Sequence, residues 1–425
     1  MEECFEMTIL IENVWLEGER KDIYVEGNRI SSLCSDGSRA GEVIDGSNMA
    51  AIPGLINTHT HSAMTLFRGF GDDMLLHEWL EKKIWPAEAK LTEEDVYWGS
   101  KLACLEMIKS GTTCFNDQYW LMKGTARAVD EMGLRAFLAE AFIDLFDEEK
   151  ADESRKKTIE FVEYVESMGS DRIKAALGPH SLYTVSEQSL RWFKKYSDER
   201  DLLIHFHLAE TKKENRDCME KHGKYPVEYL KDIGFLCDRL IAAHCVWLSR
   251  QEMEVLARYG VKVSHNPVSN MKLSVGSFLN YRDLKAAGVV VSLGTDGCAS
   301  NNNLDMLEEL KFAAVGQKAF SNDPTVLPAK HAFKMATRGG ASALRIKAGK
   351  IEEGRLADIV LVDLDKAALT PQHNLVSNLV YSANGSCVDT VICNGRILMR
   401  DGKVKGEEEI LEKAGEVAFD VVSRN

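Results

Sequence analysis

The 425-residue sequence lacks several features that define whole classes of protein. It has no run of about 18 apolar residues, which a membrane-spanning helix needs. It has no CxxC pair of the kind found in cysteine-ligated zinc sites. Its acidic N-terminus, MEECFEM, shows no signal-peptide pattern, so we expect a cytoplasmic protein. The net charge of -14 argues against phosphate contacts, so we expect neither a nucleic-acid nor a membrane partner.

The composition is that of a globular protein in a reducing compartment. Hydrophobic residues make up 45% of the chain, enough for one large domain and a smaller one. Ten cysteines, Cys4 among them, are scattered along the chain, and we expect no disulfides. Because the net charge disfavours nucleic-acid and membrane partners, small molecules are the expected ligands.

Eight short apolar runs alternate with helical patterns over most of the chain. They are AIPGLINTHTH, GTTCFND, LRAFLAEAF, IKAALGPHSLY, LLIHFHLAET, LIAAHCVWL, VKVSHNPVSN and VVVSLGTDG. Apolar strands that alternate with helices are typical of βα units, and eight of them predict an α/β fold, a (β/α)8 TIM-like barrel over residues 55–349. Between the first two runs, Thr92 with Asp95 three positions later predicts a helix start, and Gly111 its end.

The two ends of the chain have a different pattern. Residues 1–54 and 350–425 contain alternating strands separated by Gly and Asn turns, such as CNGR and RDGK. This pattern predicts a small antiparallel β-sandwich domain built from both termini.

Polar residues follow most of the eight apolar runs, at what would be the active-site face of a barrel. His59 and His61 stand two apart on one strand, so both imidazoles can reach one point, as metal ligands would. The pair alone is weak evidence for a metal and needs partners. Further polar residues at the strand ends, which we expect to converge with it, are Asp117, His180, His207, His244, His265 and Asp296.

Five of these segments carry a resemblance to a known family. PGLINTHTH, HFHLAET, AAHCVWL, VSHNPVSNMKL and SLGTDGCASNNNLDM resemble the amidohydrolase superfamily, and in particular its branch that deaminates S-adenosylhomocysteine, 5′-methylthioadenosine and 5′-deoxyadenosine. The resemblance implies a barrel with a small β-sandwich, in agreement with the strand pattern. It also implies that a small nucleoside is hydrolysed to the inosine analogue and ammonia. Adenosine itself is a further candidate substrate. We further expect a homo-oligomer of unspecified size.

The resemblance implies one divalent metal per chain, zinc or else ferrous iron. His205 and His207 lie two apart, so strand periodicity does not choose between them, whereas the family pattern selects His207 because Glu210 follows three residues later. We interpret His205 as a core residue whose nitrogens find partners nearby. The fourth strand ends in GPH, without the lysine that bridges two metals in binuclear members. The implied ligands are His59, His61, His207 and Asp296.

Three residues are implied to be catalytic. Asp296 would take a proton from the attacking water, since a carboxylate held against a cation stays ionised. Glu210 would protonate a ring nitrogen and later help ammonia to leave. His244 would hydrogen-bond to the hydroxide and to the tetrahedral centre.

The same resemblance implies the substrate contacts. Trp79 would form an apolar wall, Glu88 would face the ribose hydroxyls, and His180 would contact the nucleoside, together with Glu210 and Asp296. His265 can be given only a supporting role. No residue can be assigned to the homocysteine carboxylate.

Two other hypotheses stay open. A related hydrolase acting on guanine, cytosine or a chlorinated triazine would keep the metal motif but has less use for Glu88. A family member without catalysis, serving a structural role, would be marked by lost ligands, and none is lost. The sequence does not rank the adenosine substrates.

Overall fold

The structure is a computed structural model that describes residues 8–34, 40–74 and 76–424. The N-terminal segment MEECFEM, with Cys4, lies outside the described residues. The nine cysteines within these ranges are all free thiols. No helix in this part of the chain is long and apolar enough to span a membrane.

Seventeen strands lie within the described ranges, and they form two sheets. They are β1 (Thr8–Leu16), β2 (Glu19–Glu26), β3 (Arg29–Ser32), β4 (Glu42–Asp45), β5 (Met49–Pro53), β6 (Leu55–Thr60), β7 (Thr112–Tyr119), β8 (Arg135–Phe142), β9 (Ile173–Pro179), β10 (Leu203–Leu208), β11 (Leu240–His244), β12 (Lys262–His265), β13 (Val290–Leu293), β14 (Ile359–Asp363), β15 (Val388–Cys393), β16 (Arg396–Arg400) and β17 (Lys403–Val404).

The eight predicted apolar runs form one sheet. Strands β6 to β13 pair in chain order, and each neighbouring pair is parallel. Side chains also join its first and last strands, since Thr58 Oγ1 lies 2.8 Å from Ser292 Oγ and donates to the carbonyl oxygen of Leu293 at 2.9 Å. The backbone N–H of Asp296 donates to the carbonyl of His59 at 3.0 Å. The carboxyl ends of the strands therefore share one edge of the sheet.

Both ends of the chain contribute strands to the second sheet. Its nine strands run in the order β17-β16-β15-β14-β5-β1-β2-β3, with β4 beside β1. The prediction of antiparallel pairing is wrong in two places, because β1 pairs in parallel with β4 and with β5. Side chains alternate in the same way in parallel and antiparallel strands, so alternation alone does not give the direction of these short strands. The NG and DG turns are confirmed at Asn394–Gly395 and Asp401–Gly402, where all four residues have positive φ.

Helices connect the parallel strands, and others follow the last of these strands. Those in the described ranges are α1 (Leu76–Trp79), α2 (Trp85–Glu88), α3 (Glu93–Lys109), α4 (Met122–Met132), α5 (Glu148–Ser167), α6 (Glu187–Arg200), α7 (Lys212–His222), α8 (Pro226–Asp232), α9 (Arg250–Arg258), α10 (Pro267–Lys272), α11 (Tyr281–Ala287), α12 (Met306–Ser321), α13 (Ala329–Lys334), α14 (Gly340–Ala343), α15 (Leu375–Tyr381) and α16 (Glu407–Ser423).

The predicted start of α3 is confirmed in detail. Thr92 accepts a hydrogen bond from the backbone N–H of Asp95, and the Asp95 side chain bonds back to the N–H of Thr92, which forms a capping box. The same carboxylate binds the guanidinium of Arg424 at 2.6 and 2.8 Å, so the end of α16 is tied to the start of α3.

A buried ion pair joins the two sheets. Arg135, at the start of β8, donates to the carboxylate of Asp358 at 3.1 and 3.3 Å, and the side chain of Asp358 is 1% exposed. Asp358 also accepts the backbone N–H of Asn394 at 2.8 Å, while its own carbonyl accepts the N–H of Gly54 at 2.9 Å. The carboxylate therefore connects β8 with the turn between β15 and β16.

Replacing Asp358 by alanine should strongly destabilise the protein. The substitution leaves the Arg135 charge buried without a counter-charge, a change that typically costs about 3 to 5 kcal/mol. We expect the urea midpoint of unfolding to fall accordingly. The control is Glu153→Ala, which removes an exposed partner of Lys157 on α5 and should leave the midpoint unchanged. Equal midpoints for the two variants would contradict the role of the buried pair.

Candidate active site

Four side chains at the strand ends converge on one point. His59 lies on β6 and His61 directly follows it, His207 lies on β10, and Asp296 follows β13. Oδ1 of Asp296 lies 3.2 Å from Nε2 of His61 and 3.3 Å from Nε2 of His59. Nε2 of His207 lies 3.3 Å from Nε2 of His61. These four side chains therefore lie close together, as the sequence predicts.

This geometry fits a metal ion. Ligand atoms placed tetrahedrally at about 2.0 to 2.1 Å from a metal are separated by about 3.3 Å from one another. Nε2 of His59 is buried and makes no hydrogen bond within the described part of the chain, which leaves its lone pair for a metal. Three imidazoles and a carboxylate also match the ligand preference of zinc and ferrous iron.

The other ring nitrogen of each histidine is engaged elsewhere. Nδ1 of His61 lies 2.6 Å from the carbonyl oxygen of Gln118, and Nδ1 of His207 lies 2.9 Å from that of His180. Such acceptors hold the proton on Nδ1 and direct Nε2 to the centre of the cluster. The sequence did not indicate these carbonyls, because any residue can supply one.

His205 completes the set of contacts around His59. Its Nε2 lies 2.5 Å from Nδ1 of His59, so it holds the ring of a proposed ligand and does not point into the cluster. Its Nδ1 is buried without a hydrogen-bond partner among the described residues. The interpretation of His205 as a core residue with satisfied nitrogens is therefore wrong for Nδ1.

The charges in the cluster favour a cation. Burial lowers the pKa of His59 to about 3, which keeps this imidazole neutral. Burial raises the pKa of Asp296, but contacts from His59 and His61 hold it well below its usual range. Burial also lowers the pKa of His61, yet the Asp296 carboxylate outweighs this effect and raises it to about 9. The carboxylate thus draws a positive charge to this point, which a proton or a metal ion can supply.

Two hydroxyl groups hold the Asp296 carboxylate in place. Ser269 Oγ and Ser300 Oγ donate to Oδ2 at 2.6 and 3.0 Å, and the N–H of Gly297 donates to Oδ1 at 2.8 Å. Asp296 itself has a φ of 65°, an uncommon conformation for a residue with a side chain. Neither serine was predicted to belong to the site, although each stands inside one of the motifs that carry the family resemblance.

Glu210 and His244 lie beside each other near the cluster. Oε1 of Glu210 lies 3.8 Å from Nδ1 of His244. Burial and the nearby charge of Asp296 raise the pKa of Glu210 to about 8, so it can carry a proton at neutral pH. The side-chain amides of Asn270 and Asn266 lie 3.0 and 3.2 Å from Nδ1 of His244. Burial lowers the pKa of His244 to about 4.

A single cavity connects this chemistry with the predicted substrate contacts. Trp79, Glu88 and His180 all line it. Glu88 accepts a hydrogen bond from the hydroxyl of Tyr119 at 2.7 Å, and burial raises its pKa while this bond opposes the rise. Nδ1 of His180 contacts Thr184 Oγ1 at 2.8 Å, so Nε2 is the nitrogen left for a ligand. The cavity also contains His61, His207, Glu210, His244 and Asp296, and aromatic residues that the sequence analysis did not identify: Trp85, Tyr119, Trp120 and Tyr183.

Three of the polar residues at the strand ends, His59, Asp117 and His265, do not line this cavity. Asp117 is buried and accepts hydrogen bonds from Thr60 Oγ1 and Ser62 Oγ at 2.6 and 2.7 Å, which fixes the chain on both sides of His61. His265 packs against Phe278, and its ring nitrogens have no partner in the described ranges. The supporting role predicted for His265 from the sequence remains a prediction.

Comparisons with known proteins agree with this arrangement. A model of the amidohydrolase family matches residues 50–398. A 5-methylthioadenosine/S-adenosylhomocysteine deaminase of Archaeoglobus fulgidus is 52% identical over 95% of either chain. A 5′-deoxyadenosine deaminase of Methanocaldococcus jannaschii is 50% identical over 96% of this chain and 98% of its own. The crystal structure of an adenosine deaminase from Xanthomonas campestris with bound zinc superposes with a TM-score of 0.92, at 31% identity and 99% coverage of both chains.

Proposed function

This chain belongs to the amidohydrolase family, and we infer that it is a hydrolytic deaminase acting on the adenine ring of 5′-modified adenosines. Water replaces the exocyclic amino group, so that the products are the inosine analogue and ammonia. Its substrates are 5′-deoxyadenosine, 5′-methylthioadenosine and S-adenosylhomocysteine, the compounds named for its relatives of about 50% identity. The observation that carries this conclusion is that His61, His207 and Asp296 of the metal-binding cluster line the same cavity as Glu88, as a ring deaminase with a ribose site requires.

We propose that one divalent metal, zinc in preference to ferrous iron, binds among His59, His61, His207 and Asp296. The separations of their ligand atoms and the lone pair on His59 Nε2 support this assignment. A divalent metal in such a site acts as a Lewis acid and lowers the pKa of water toward 7. The enzyme is therefore metal-dependent.

The protein groups move the protons of the reaction in this proposal. Asp296 takes a proton from the attacking water, while Ser269 and Ser300 keep its second oxygen occupied. Glu210 gives a proton to a ring nitrogen, which makes the adjacent carbon electrophilic, and then assists the departure of ammonia. His244 hydrogen-bonds to the attacking oxygen, and Asn270 holds its ring.

The nucleoside would bind in the remainder of the cavity. Glu88 accepts hydrogen bonds from the two ribose hydroxyls, Trp79 provides an apolar wall, and His180 contacts the nucleoside, alongside Glu210 and Asp296. A hydrolase of guanine, cytosine or a triazine has no sugar for Glu88 to hold, so we favour the adenosine substrates.

We also propose that the parallel sheet closes into the (β/α)8 barrel over residues 55–349. The contacts of Thr58 with Ser292 and Leu293 support closure. Residues 1–54 and 350–425 would then form the small β-sandwich domain. The homo-oligomer remains a prediction.

The first functional prediction concerns the metal. Fully active enzyme should contain one metal per chain, and His207→Ala and Asp296→Ala should each lower this content because a three-ligand site binds more weakly. Elemental analysis measures the metal content per chain. The control is His373→Ala, an exposed histidine outside the cavity, which should retain the metal. Two metals per chain in active enzyme would contradict the single-metal assignment.

The second prediction concerns the proton carrier. Glu210→Gln keeps the shape of the side chain but has no transferable proton, so we expect normal metal content and a kcat lower by about 10²- to 10⁴-fold. The loss of absorbance near the adenine band measures turnover. A near-normal kcat in a metal-replete variant would refute the role of Glu210.

The third prediction concerns the ribose. Hydrogen bonds to a charged acceptor are each worth about 1.5 to 3 kcal/mol, so Glu88→Ala should lower kcat/KM for adenosine by about 10² or more. The already poor rate on 2′,3′-dideoxyadenosine should change far less, because that substrate lacks both hydroxyls. The matched control is Glu78→Ala, a neighbouring exposed glutamate paired with Lys82, which should alter neither rate.

If Glu88→Ala lowers the rates on adenosine and its dideoxy analogue equally, Glu88 does not hold the sugar. That result would reopen the case for a heterocycle without ribose.

A further inference from the structure

The turn that carries Glu210 has an unusual support. The chain leaves β10 at Leu208, adopts a left-handed conformation at Ala209 with a φ of 50°, and then reaches Glu210. A residue with a Cβ pays a conformational penalty there, so the surrounding contacts must hold the turn. One buried carboxylate provides two of those contacts.

That carboxylate belongs to Glu214, on the first turn of α7. Its Oε1 accepts the backbone N–H of Ala209 at 2.8 Å, and its Oε2 accepts the backbone N–H of Glu210 at 3.0 Å. Glu214 is only 4% exposed. Both oxygens therefore bind successive N–H groups of the turn, which fixes the direction in which the Glu210 side chain leaves the backbone.

Helix capping does not explain this arrangement. Thr211 caps α7 and accepts the backbone N–H of Glu214 at 3.2 Å, as in a capping box. In a capping box the glutamate side chain would return to the N–H of the capping residue itself. Here it reaches further back, to Ala209 and Glu210. The side chain is thus directed to the turn of the strand end and not to the helix terminus.

The carbonyl groups of the same turn are bound by the segment that follows β11. The carbonyl of Leu208 accepts the N–H of Cys245 at 2.9 Å, and the carbonyl of Ala209 accepts the N–H of Trp247 at 2.9 Å. These residues follow β11, which ends at His244. The turn is therefore held through both its N–H and its carbonyl groups. The Glu214 side chain binds the N–H groups, and backbone N–H groups bind the carbonyls.

We propose that Glu214 is a positioning residue for the deamination reaction, acting through the backbone of Ala209 and Glu210 to aim the Glu210 carboxyl at the substrate. This inference rests on the proposed function, because it takes Glu210 to be the proton carrier. A misplacement of about 1 Å in a reacting group can lower a rate by about 10²-fold. Loss of the support should act on kcat, since Glu210 contributes to chemistry, and should leave KM nearly unchanged.

The test uses two substitutions of Glu214 in the metal-loaded, full-length enzyme. Glu214→Gln has the same size but offers one acceptor oxygen for the two N–H groups. Glu214→Asp keeps the carboxyl group but is one methylene shorter, so it cannot reach both N–H groups. We expect each to lower kcat by about 10- to 100-fold with unchanged KM and metal content. Full activity in either variant would overturn the proposal.

The matched control is Glu252→Gln. Glu252 stands at the same position of α9, is 2% exposed, and also accepts two backbone N–H groups, those of Ser249 and Val227. Its turn carries no group of the active site. The Glu252→Gln variant should have its thermal midpoint lowered about as much as Glu214→Gln, and its kcat should be unchanged. A comparable loss of kcat in the control would mean that Glu214 acts only through stability.

A double-mutant cycle separates this proposal from the proposed function. If Glu214 acts through Glu210, adding Glu214→Gln to Glu210→Gln should lower kcat by no more than about 2-fold further. The same 10- to 100-fold loss in both backgrounds would overturn the positioning role alone. A normal kcat for Glu210→Gln by itself would instead overturn the role of Glu210 as proton carrier.

Discussion

The active site depends on a carboxylate buried against imidazole nitrogens that have few other partners. Oδ1 of Asp296 lies 3.3 Å from Nε2 of His59 and 3.2 Å from Nε2 of His61, where burial penalises any unbalanced charge. The neighbouring contacts serve this arrangement. Carbonyl oxygens and His205 hold the Nδ1 side of the rings, and two serine hydroxyls occupy the other carboxylate oxygen.

Much of this organisation could be predicted from the chain alone. Apolar runs spaced by helical patterns predicted eight strands, and all eight lie in one parallel sheet. The start of α3 followed from Thr92 and Asp95, because a capping box needs only local residues. His59 and His61 drew attention because a period of two places them on one face, whereas the choice of His207 over His205 depended on a family pattern.

The parts that could not be predicted depend on long-range geometry. Ser269, Asn270 and Ser300 act through side chains that meet Asp296 or His244 only after α10 and the loop after β13 have folded. Glu214 has the spacing of an ordinary helix cap, and only its hydrogen bonds reveal a different target. The direction of β4 and β5 was mispredicted since alternation of side chains does not encode it.

The joining of the two chain ends in one sheet has a consequence for synthesis on the ribosome. β5 pairs with β14, so this central pairing cannot form until nearly the whole chain has emerged. The eight parallel strands lie between these two, and all of them leave the ribosome earlier. Since β5 must wait for β14, one edge of the N-terminal strands stays unpaired during translation, and an unpaired strand edge is prone to aggregation.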